Sequence, residues 1–130
     1  MYSLGMRREF SARHYLIGGD WGAENSEHAH RYRMELVLEA LNLDRHGYLV
    51  DIVEVEQHLE AVVADFAGQT LNNLAAFAGL NPSIERLATI LHAAFRARFA
   101  HIQLEALTVT LWEDDIAWTS YRAPLRCASA

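Results

Sequence analysis

Two histidines separated by one residue, His28 and His30, begin the stretch HAHRYRMELVLEA at positions 28–40. Residues i and i+2 of a strand point to the same side of the sheet, whereas in a helix they lie roughly 200° apart. The pair can therefore serve one ligand only if the stretch is a strand. Three neutral imidazoles form a known catalytic zinc set that leaves a fourth position for water or substrate. A third histidine pointing the same way would make this pair a candidate metal site.

Alternation between apolar and polar residues predicts that 28–40 is a strand with one buried face. The apolar residues of one parity are Tyr32, Met34, Leu36 and Leu38, and the charged residues of the other are Arg31, Arg33, Glu35 and Glu39. His28 and His30 have the apolar parity, so their imidazoles are expected to extend the buried face. A histidine pair on a strand is also typical of an ordinary hydrogen-bonded pair at the surface or in the core.

Residues 2–12 alternate in the same way and predict a second half-buried strand, with Arg8 as the one exception to its apolar parity. His14 continues the parity of Phe10 and Ala12 just past the end of this strand. Three imidazoles are therefore expected to converge near one end of two adjacent strands. The other histidines fall on predicted loops and helices, where we interpret each as solvated or locally paired; they are His46, His58, His92 and His101.

The middle of the chain changes to the three-and-four spacing of helices. Over 51–66 the apolar stripe consists of Ile52, Val55, Leu59, Val62 and Phe66. Asp51 with Glu54 predicts a capping box at the start of this helix. A second helix is predicted within 81–99, after the start signals Pro82 and Ser83. Its apolar stripe consists of Leu87, Leu91, Ala94 and Phe95.

Alternation returns from Leu107, and a turn at Asp114 and Asp115 leads into a last strand near 116–122. The order of elements is strand, strand, helix, helix, strand, strand. This order predicts an α+β domain in which a four-stranded antiparallel sheet carries both helices on one face. A chain of 130 residues is long enough for one such domain, 1–130, and too short for two.

Glu113 breaks the pattern of the third strand, because an acid stands where the alternation of Leu107, Val109 and Leu111 predicts another core residue. The carboxylate lies either at an exposed strand end or in a buried position against a ligand rich in donors. A carboxylate can accept two parallel N–H bonds. The buried alternative therefore suits a guanidine-like edge such as that of a pterin or guanine.

Charge and residue usage exclude several classes of function. A formal charge of −6 argues against a broad surface for nucleic acid or anionic membranes. All eleven basic residues are arginines, which excludes a lysine Schiff base. Cys127 is the single cysteine, so neither an intramolecular disulfide nor a thiolate metal cluster is expected. No apolar run has membrane length and no signal-peptide pattern is visible, and we expect a cytoplasmic protein.

Five short motifs in this order resemble the family of 6-pyruvoyl tetrahydropterin synthase and 6-carboxytetrahydropterin synthase, and the resemblance covers nearly the whole chain. They are FSARH at 10–14, HAH at 28–30, GYLVD at 47–51, NPSIE at 81–85 and VTLWED at 109–114. The resemblance implies the tunnelling fold (T-fold), whose ββααββ subunits pair their sheets into a barrel as a trimer or hexamer with sites between subunits. It also implies zinc on His14, His28 and His30, and a pterin-anchoring role for Glu113.

The chain differs from the family pattern at the residues that transfer protons in the family. The family's catalytic cysteine corresponds by position to Glu24, and its aspartate and histidine dyad to Ala67 and Gly68 in FAGQTLN at 66–72. Glu24 is therefore the candidate acid or base, with Asp20 and Glu27 as alternatives if the loop is aligned differently; a solvated loop acid is the simpler interpretation of Glu24. A family branch with glutamate in place of cysteine is associated with removal of the dihydroneopterin side chain.

The resemblance implies a zinc-dependent lyase that acts on a reduced pterin such as dihydroneopterin triphosphate, through side-chain elimination or cleavage. Because the dyad is absent, a catalytically silent protein that binds zinc and a pterin or purine-like ligand is the alternative from another class. A family member with a different substrate is the third. Partners other than the small molecule are expected to be further copies of the same chain, with no nucleic acid and no membrane.

Overall fold

Six long regular elements follow one another in the predicted order in the computed structural model, which describes residues 1–125. They are β1 (Tyr2–His14), β2 (His28–Ala40), α1 (Ile52–Phe66), α2 (Ile84–Arg98), β3 (Ala106–Trp112) and β4 (Trp118–Pro124). Single 3-10 turns lie between them at Gly22–Asn25, Leu71–Asn73 and Ala75–Phe77. The expected α+β architecture is confirmed. The expectation about Cys127 concerns a residue outside the described part of the chain.

The four strands form one antiparallel sheet in the order β1, β2, β3, β4. The long pairing of β1 with β2 runs without interruption from Tyr2 opposite Ala40 to His14 opposite His28. The first strand therefore extends two residues beyond the predicted end and includes His14. The last strand begins at Trp118, later than predicted, because Asp114 accepts hydrogen bonds from two backbone N–H groups of the preceding turn.

One face of the sheet is buried under both helices in a single apolar core. The strands contribute Phe10, Tyr32, Met34, Leu36, Leu38, Val109 and Leu111, and the helices contribute Val55, Leu59, Val62, Phe66, Leu87, Leu91 and Phe95. Alternate strand residues point to opposite faces, so this burial sets which way every polar residue of β1 and β2 points. Ile52 has the angular position of the α1 stripe but is exposed, because the core contacts of α1 begin one turn later at Val55.

Charged residues cover the sheet face opposite the helices and form ion pairs between strands, two of them between β1 and β2 and one between β2 and β4. The pairs are Arg7 with Glu35, Arg31 with Glu9, and Arg122 with Glu39. Arg8, the exception to the alternation of β1, faces the helix layer, where its guanidinium contacts Glu60 of α1. Both helices have 15 residues, and no helix within residues 1–125 has the length and apolar character needed to cross a membrane.

Each main helix begins at the predicted cap. Asp51 Oδ1 accepts from the N–H of Val53, and Ser83 Oγ accepts from the N–H of Arg86. These bonds satisfy N–H groups that have no partner within the helix. The return half of the expected capping box is missing, because Glu54 contacts two histidines instead of the backbone of Asp51.

Of the two states expected for His92, solvated or paired, the structure shows the paired one, and it is buried. It is 3% exposed, and its Nε2 donates to the carbonyl oxygen of Leu107 on β3 at 2.9 Å. The ring also packs edge-on against Tyr121 of β4. Burial lowers the pKa of His92 because the charged ring would lose its hydration, while the hydrogen bond to Leu107 acts in the opposite direction.

This burial predicts a loss of stability on mild acidification. Above pH 6.5, the ordinary pKa of histidine, His92 is neutral in both folded and unfolded chains, and its contribution is complete. Below that pH the unfolded chain binds a proton that the folded chain does not. The free energy of unfolding should therefore fall, with a slope from this group of at most about 1.4 kcal/mol per pH unit.

This slope is measured by urea unfolding of the native chain and of His92→Gln at about pH 7.5 and about pH 5.5. The two pH values lie roughly one unit above and below the ordinary pKa of histidine. Glutamine keeps an N–H donor for Leu107 but does not titrate. The variant should show a shallower pH dependence, whereas His46→Gln in the exposed loop before α1 should not. Equal slopes for all three proteins would contradict the assignment.

Candidate functional site

The register of β1 and β2 brings three imidazoles together at one end of the sheet. His14 lies directly opposite His28, and His30 lies two residues further along the same face of β2. The Nε2 atoms of His14 and His28 are 2.9 Å apart, and those of His28 and His30 are 3.0 Å apart. His14 is buried, whereas the other two are partly exposed. The three rings are nearly perpendicular to one another, and their ligand atoms lie within 4.8 Å of one another.

Backbone carbonyl groups determine which ring nitrogen carries the proton in two of these histidines. The Nδ1 of His14 lies 3.0 Å from the oxygen of Pro82, and the Nδ1 of His28 lies 2.7 Å from the oxygen of Ser26. A carbonyl oxygen can only accept, so each Nδ1 must carry a proton. In the neutral rings the Nε2 atoms therefore present lone pairs. This is the arrangement in which an outer carbonyl orients a histidine that binds a metal.

Lone pairs that face each other at 2.9 Å repel unless a cation lies between them. Tetrahedral zinc with its usual nitrogen distances separates two imidazole nitrogens by about 3.3 Å, close to the separations found here. Burial is the main cause that lowers the pKa of His14, and the other two histidines lower it further. The neutral form that a metal requires is thus favoured. The three imidazoles could hold a divalent metal of the zinc class.

Glu24 approaches the same point from the loop between β1 and β2. Its Oε2 lies 2.8 Å from His28 Nε2, and the ligand atoms of Glu24 and the three histidines all lie within 4.8 Å of one another. Its backbone oxygen accepts from the N–H of Leu16, which closes the loop on itself. The carboxylate is therefore placed either to coordinate a metal or to exchange protons with a group bound beside it.

The two alternative loop acids have other partners. Asp20 accepts from the N–H of Gly22 within the loop. Glu27 accepts from the hydroxyl of Thr70 at 2.7 Å and lies 3.6 Å from Arg13. Within residues 1–125, Glu24 is the only one of these three loop acids that contacts the histidine cluster.

Glu113 lies immediately after the end of β3 and closes the other side of the cluster. Its Oε1 is 3.1 Å from His30 Nε2 and 3.8 Å from His14 Nε2. The side chain is 26% exposed, so it combines features of the two expected alternatives: a strand end and a partly buried acid. Burial raises the pKa of Glu113, and the nearby carboxylates of Glu24 and Asp114 raise it further, while His30 lowers it.

A cavity of about 430 Å³ opens beside these groups. Its walls include His14, His30, Glu24, Glu113, Trp21 and Asn81. Four acidic residues, two histidines and one tryptophan thus line a space of the size that a small aromatic ligand fills. The indole of Trp21 is about half exposed and supplies a flat apolar surface at the entrance.

Ala67 and Gly68 stand where the resemblance places an aspartate and a histidine, and neither can move a proton. Gly68 has φ +73°, a left-handed conformation that favours glycine, and its N–H donates to the oxygen of Ser11 at 2.7 Å. This bond ties the end of α1 to β1. Asn72, four residues later, bonds both the N–H and the oxygen of Tyr15. The segment keeps a structural role beside the cluster without its proton-transfer groups.

The model of the 6-pyruvoyl tetrahydropterin synthase family matches residues 3–124. The chain belongs to this family. The enzymes of the family are lyases that use zinc. The residues that carried the resemblance, including HAH at 28–30 and VTLWED at 109–114, lie in the part of the chain that matches.

Several solved structures share this fold at low sequence identity. Caenorhabditis elegans 6-pyruvoyl tetrahydropterin synthase is 19% identical, with a TM-score of 0.77 over 95% of this chain and 97% of that one. A Plasmodium vivax 6-pyruvoyltetrahydropterin synthase, a catalytic-residue mutant with alanine in place of glutamate, is 11% identical, with a TM-score of 0.75 over 95% and 99%. An uncharacterized protein from Wolinella succinogenes is 12% identical, with a TM-score of 0.71 over 92% and 97%. No curated protein matches this chain. The expected T-fold is confirmed.

Sequence reasoning missed the residues that hold this tetrahydropterin synthase-like site in place. Asn25 Nδ2 donates to the oxygens of Leu16 and Gly19, and its Oδ1 accepts from the N–H of Trp21. Asn81 Oδ1 accepts from the N–H of Ile17. An asparagine inside a turn-rich loop is a general turn signal. It carries no information about which distant carbonyl it reaches.

Asn25→Asp should loosen the loop that carries Glu24. The substitution keeps the shape but replaces two donors with an oxygen that repels the carbonyls of Leu16 and Gly19. With each hydrogen bond contributing about 0.5–1.5 kcal/mol, amide exchange in 15–27 should accelerate by roughly 5- to 150-fold. Hydrogen–deuterium exchange measures this effect. Asn73→Asp, at an exposed position, is the matched control, and unchanged exchange in 15–27 of Asn25→Asp would argue against the anchoring role.

Proposed function

We propose that this chain is a zinc-dependent lyase that acts on a reduced pterin such as dihydroneopterin triphosphate, removing or cleaving its side chain. The observation that carries the proposal is the convergence of His14, His28 and His30 with two carboxylates, Glu24 and Glu113, beside one cavity. Family membership supports a pterin lyase in general. The choice of substrate and of reaction is our own inference.

We assign His14, His28 and His30 as the zinc ligands, each through Nε2. The fit rests on the repelling lone pairs of His14 and His28, on the carbonyl acceptors that hold their Nδ1 protons, and on the neutral state favoured for His14. Bound zinc supplies Lewis-acid polarisation of the oxygens on the substrate's side chain. The ligands themselves only bind and orient.

Glu24 is the proposed general acid and base. Its Oε2 stands at the edge of the histidine cluster, where it would accept a proton from the substrate side chain and return it to the departing fragment. In the similar Plasmodium vivax synthase, a glutamate is the catalytic residue replaced with alanine. This parallel supports a carboxylate rather than a thiol in the role. Asp20 and Glu27 form hydrogen bonds elsewhere, which favours Glu24 for this role.

Glu113 is the proposed anchor for the pterin ring. A carboxylate at the wall of the cavity can accept two parallel N–H bonds from the amino-pyrimidinone edge. Its Oε1 faces His30 and His14. The indole of Trp21 lies on the wall of the same cavity, where a flat ring could pack against it.

A catalytically silent protein that binds zinc and a pterin or purine-like ligand is the second candidate. Ala67 and Gly68 favour it, because the family's dyad is absent while the three histidines and Glu113 are present. We further propose a cytoplasmic homo-oligomer, trimeric or hexameric, with sites between subunits. The exposed indole of Trp118 and phenol of Tyr2, on the two edge strands, support contacts with further copies of the chain.

Removing one imidazole should release the metal. After passage into metal-free buffer, the native chain should retain about one more tightly bound zinc per chain than His30→Ala, because the ligands that remain in the variant no longer enclose the ion. Elemental analysis by mass spectrometry measures the zinc content. His46→Ala should match the native chain. Equal zinc in His30→Ala and His46→Ala, or a native chain that takes up no zinc, would refute the site.

Glu24→Gln should abolish turnover with little effect on binding. The amide keeps the shape but cannot accept a proton, and loss of a general base typically costs about 100- to 10,000-fold in rate. Zinc-loaded protein is incubated with dihydroneopterin triphosphate and the products are followed by mass spectrometry. Glu27→Gln is the matched control in the same loop, because its amide oxygen can still accept from Thr70.

The outcomes separate the candidates. Product from the native chain and Glu27→Gln but not from Glu24→Gln supports the lyase. Tight binding of the pterin without product, unchanged by Glu24→Gln, supports the silent binding protein. Product that persists in Glu24→Gln keeps the lyase but overturns the role of Glu24. Neither binding nor product with this pterin points to a different substrate.

A further inference from the structure

A second cluster of nitrogen and oxygen donors lies away from the histidine cluster. It consists of Glu54 and His58 on α1 and His101 in the turn after α2, and its three ligand atoms lie within 4.8 Å of one another. The first cluster contacts Pro82, just before α2 begins, whereas His101 follows the end of α2. A helix of 15 residues is about 22 Å long, so the two clusters stand at opposite ends of α2.

Two elements bring these donors together. Glu54 and His58 are four residues apart on α1, which puts them on one face of the helix. Glu54 Oε1 lies 3.4 Å from His58 Nε2 and 2.5 Å from His101 Nε2. A single carboxylate oxygen is therefore shared by two imidazoles from different parts of the chain.

Packing holds one of the rings in place and leaves the other free to adjust. The ring of His58 packs edge-on against Phe99, with ring centroids 4.9 Å apart, and its side chain is only 20% exposed. The side chain of His101 is 58% exposed and can rotate. The cluster thus has two preformed donors on a rigid helix and a third donor on an adjustable turn.

A solvent-accessible hollow borders the cluster and leaves space for a further ligand. Its walls include Glu54, His101, Asp44 and Asp51. The two aspartates are engaged by backbone N–H groups, Asp44 by Tyr48 and His46 and Asp51 by Val53. A water in this hollow would complete a tetrahedral shell.

The charge state of the acid agrees with this role. Hydrogen bonds and attraction from His101, and then from His58, lower the pKa of Glu54. The carboxylate is charged at neutral pH, as a metal ligand must be. Ligand atoms around tetrahedral zinc are separated by about 3.3 Å. Spreading Glu54 and His101 to this separation requires a shift of less than about 1 Å, which the exposed ring of His101 can make.

We propose that Glu54, His58 and His101 form a second binding site for a divalent transition metal of the zinc class, with water as the fourth ligand. Two imidazoles with one carboxylate are a known donor set for zinc, and imidazole favours zinc, cobalt and nickel over magnesium and calcium. The bound ion connects α1 to the turn after α2. This connection gives the ion a structural role.

Zinc binding to the full chain tests this proposal. Equilibrium dialysis against a series of Zn²⁺ concentrations should show a second equivalent in the native chain, beyond that of the first site. His101→Ala and Glu54→Gln should each weaken that second equivalent by more than about 100-fold and leave the first unchanged. Glu56→Gln, on an exposed face of the same helix, should retain both.

A background without the first site separates the two proposals. The double variant His28→Ala, His30→Ala should still bind one equivalent, and adding His101→Ala should remove it. Excess Zn²⁺ should raise the thermal midpoint of the double variant but not of the triple variant, because a ligand stabilises only the form that binds it. Circular dichroism confirms that the variants fold, and the exposed position of His101 makes its substitution the safest one.

A native chain that binds only one equivalent at every Zn²⁺ concentration overturns the second site, as does a second equivalent that survives His101→Ala. In that case Glu54 forms only hydrogen bonds to the two histidines. Loss of zinc from the first site alone leaves this proposal standing and refutes the zinc-dependent function instead.

Discussion

The pairing of β1 with β2 is the constraint on which the site depends. Side chains alternate between the two faces of a strand, so a slip of one residue in this pairing would send His14 or the HAH pair to the opposite face. The slip is prevented by the core, because Phe10, Tyr32 and Met34 would then be turned toward solvent. The same apolar burial that stabilises the sheet therefore aligns three imidazoles at its end.

The site is an electrostatic compromise that only a cation resolves. Two imidazole nitrogens with lone pairs face each other at 2.9 Å, and carboxylates approach from both sides. The Nδ1 protons of His14 and His28 are bonded to the carbonyl groups of Pro82 and Ser26. Moving a proton to Nε2, toward the cluster, would break one of these hydrogen bonds. Such an arrangement costs stability in the free protein, and a bound divalent ion offsets that cost.

Divergence within the family has affected the two halves of the site differently. The histidine half depends on strand register and on backbone carbonyls. The proton-transfer half depends on side chains presented by the loop 15–27 and by the segment after α1, which carry Glu24, Ala67 and Gly68. Exchanging a side chain on a loop leaves the core intact, whereas moving a strand histidine disturbs the sheet. The proton-transfer groups can therefore change while the histidine cluster and the fold remain.

The sequence by itself determined the elements, their order and the direction of the histidines, because periods of two and of three to four residues report directly which face is buried. His14, His28 and His30 were predicted on that basis, as was the anomaly at Glu113. Only the tertiary structure decided what those side chains contact. The anchoring of the loop by Asn25, the burial of His92 and the meeting of Glu54 with His58 and His101 each join residues from different parts of the chain. Local periodicity carries no information about such distances, because they depend on how the elements pack against one another.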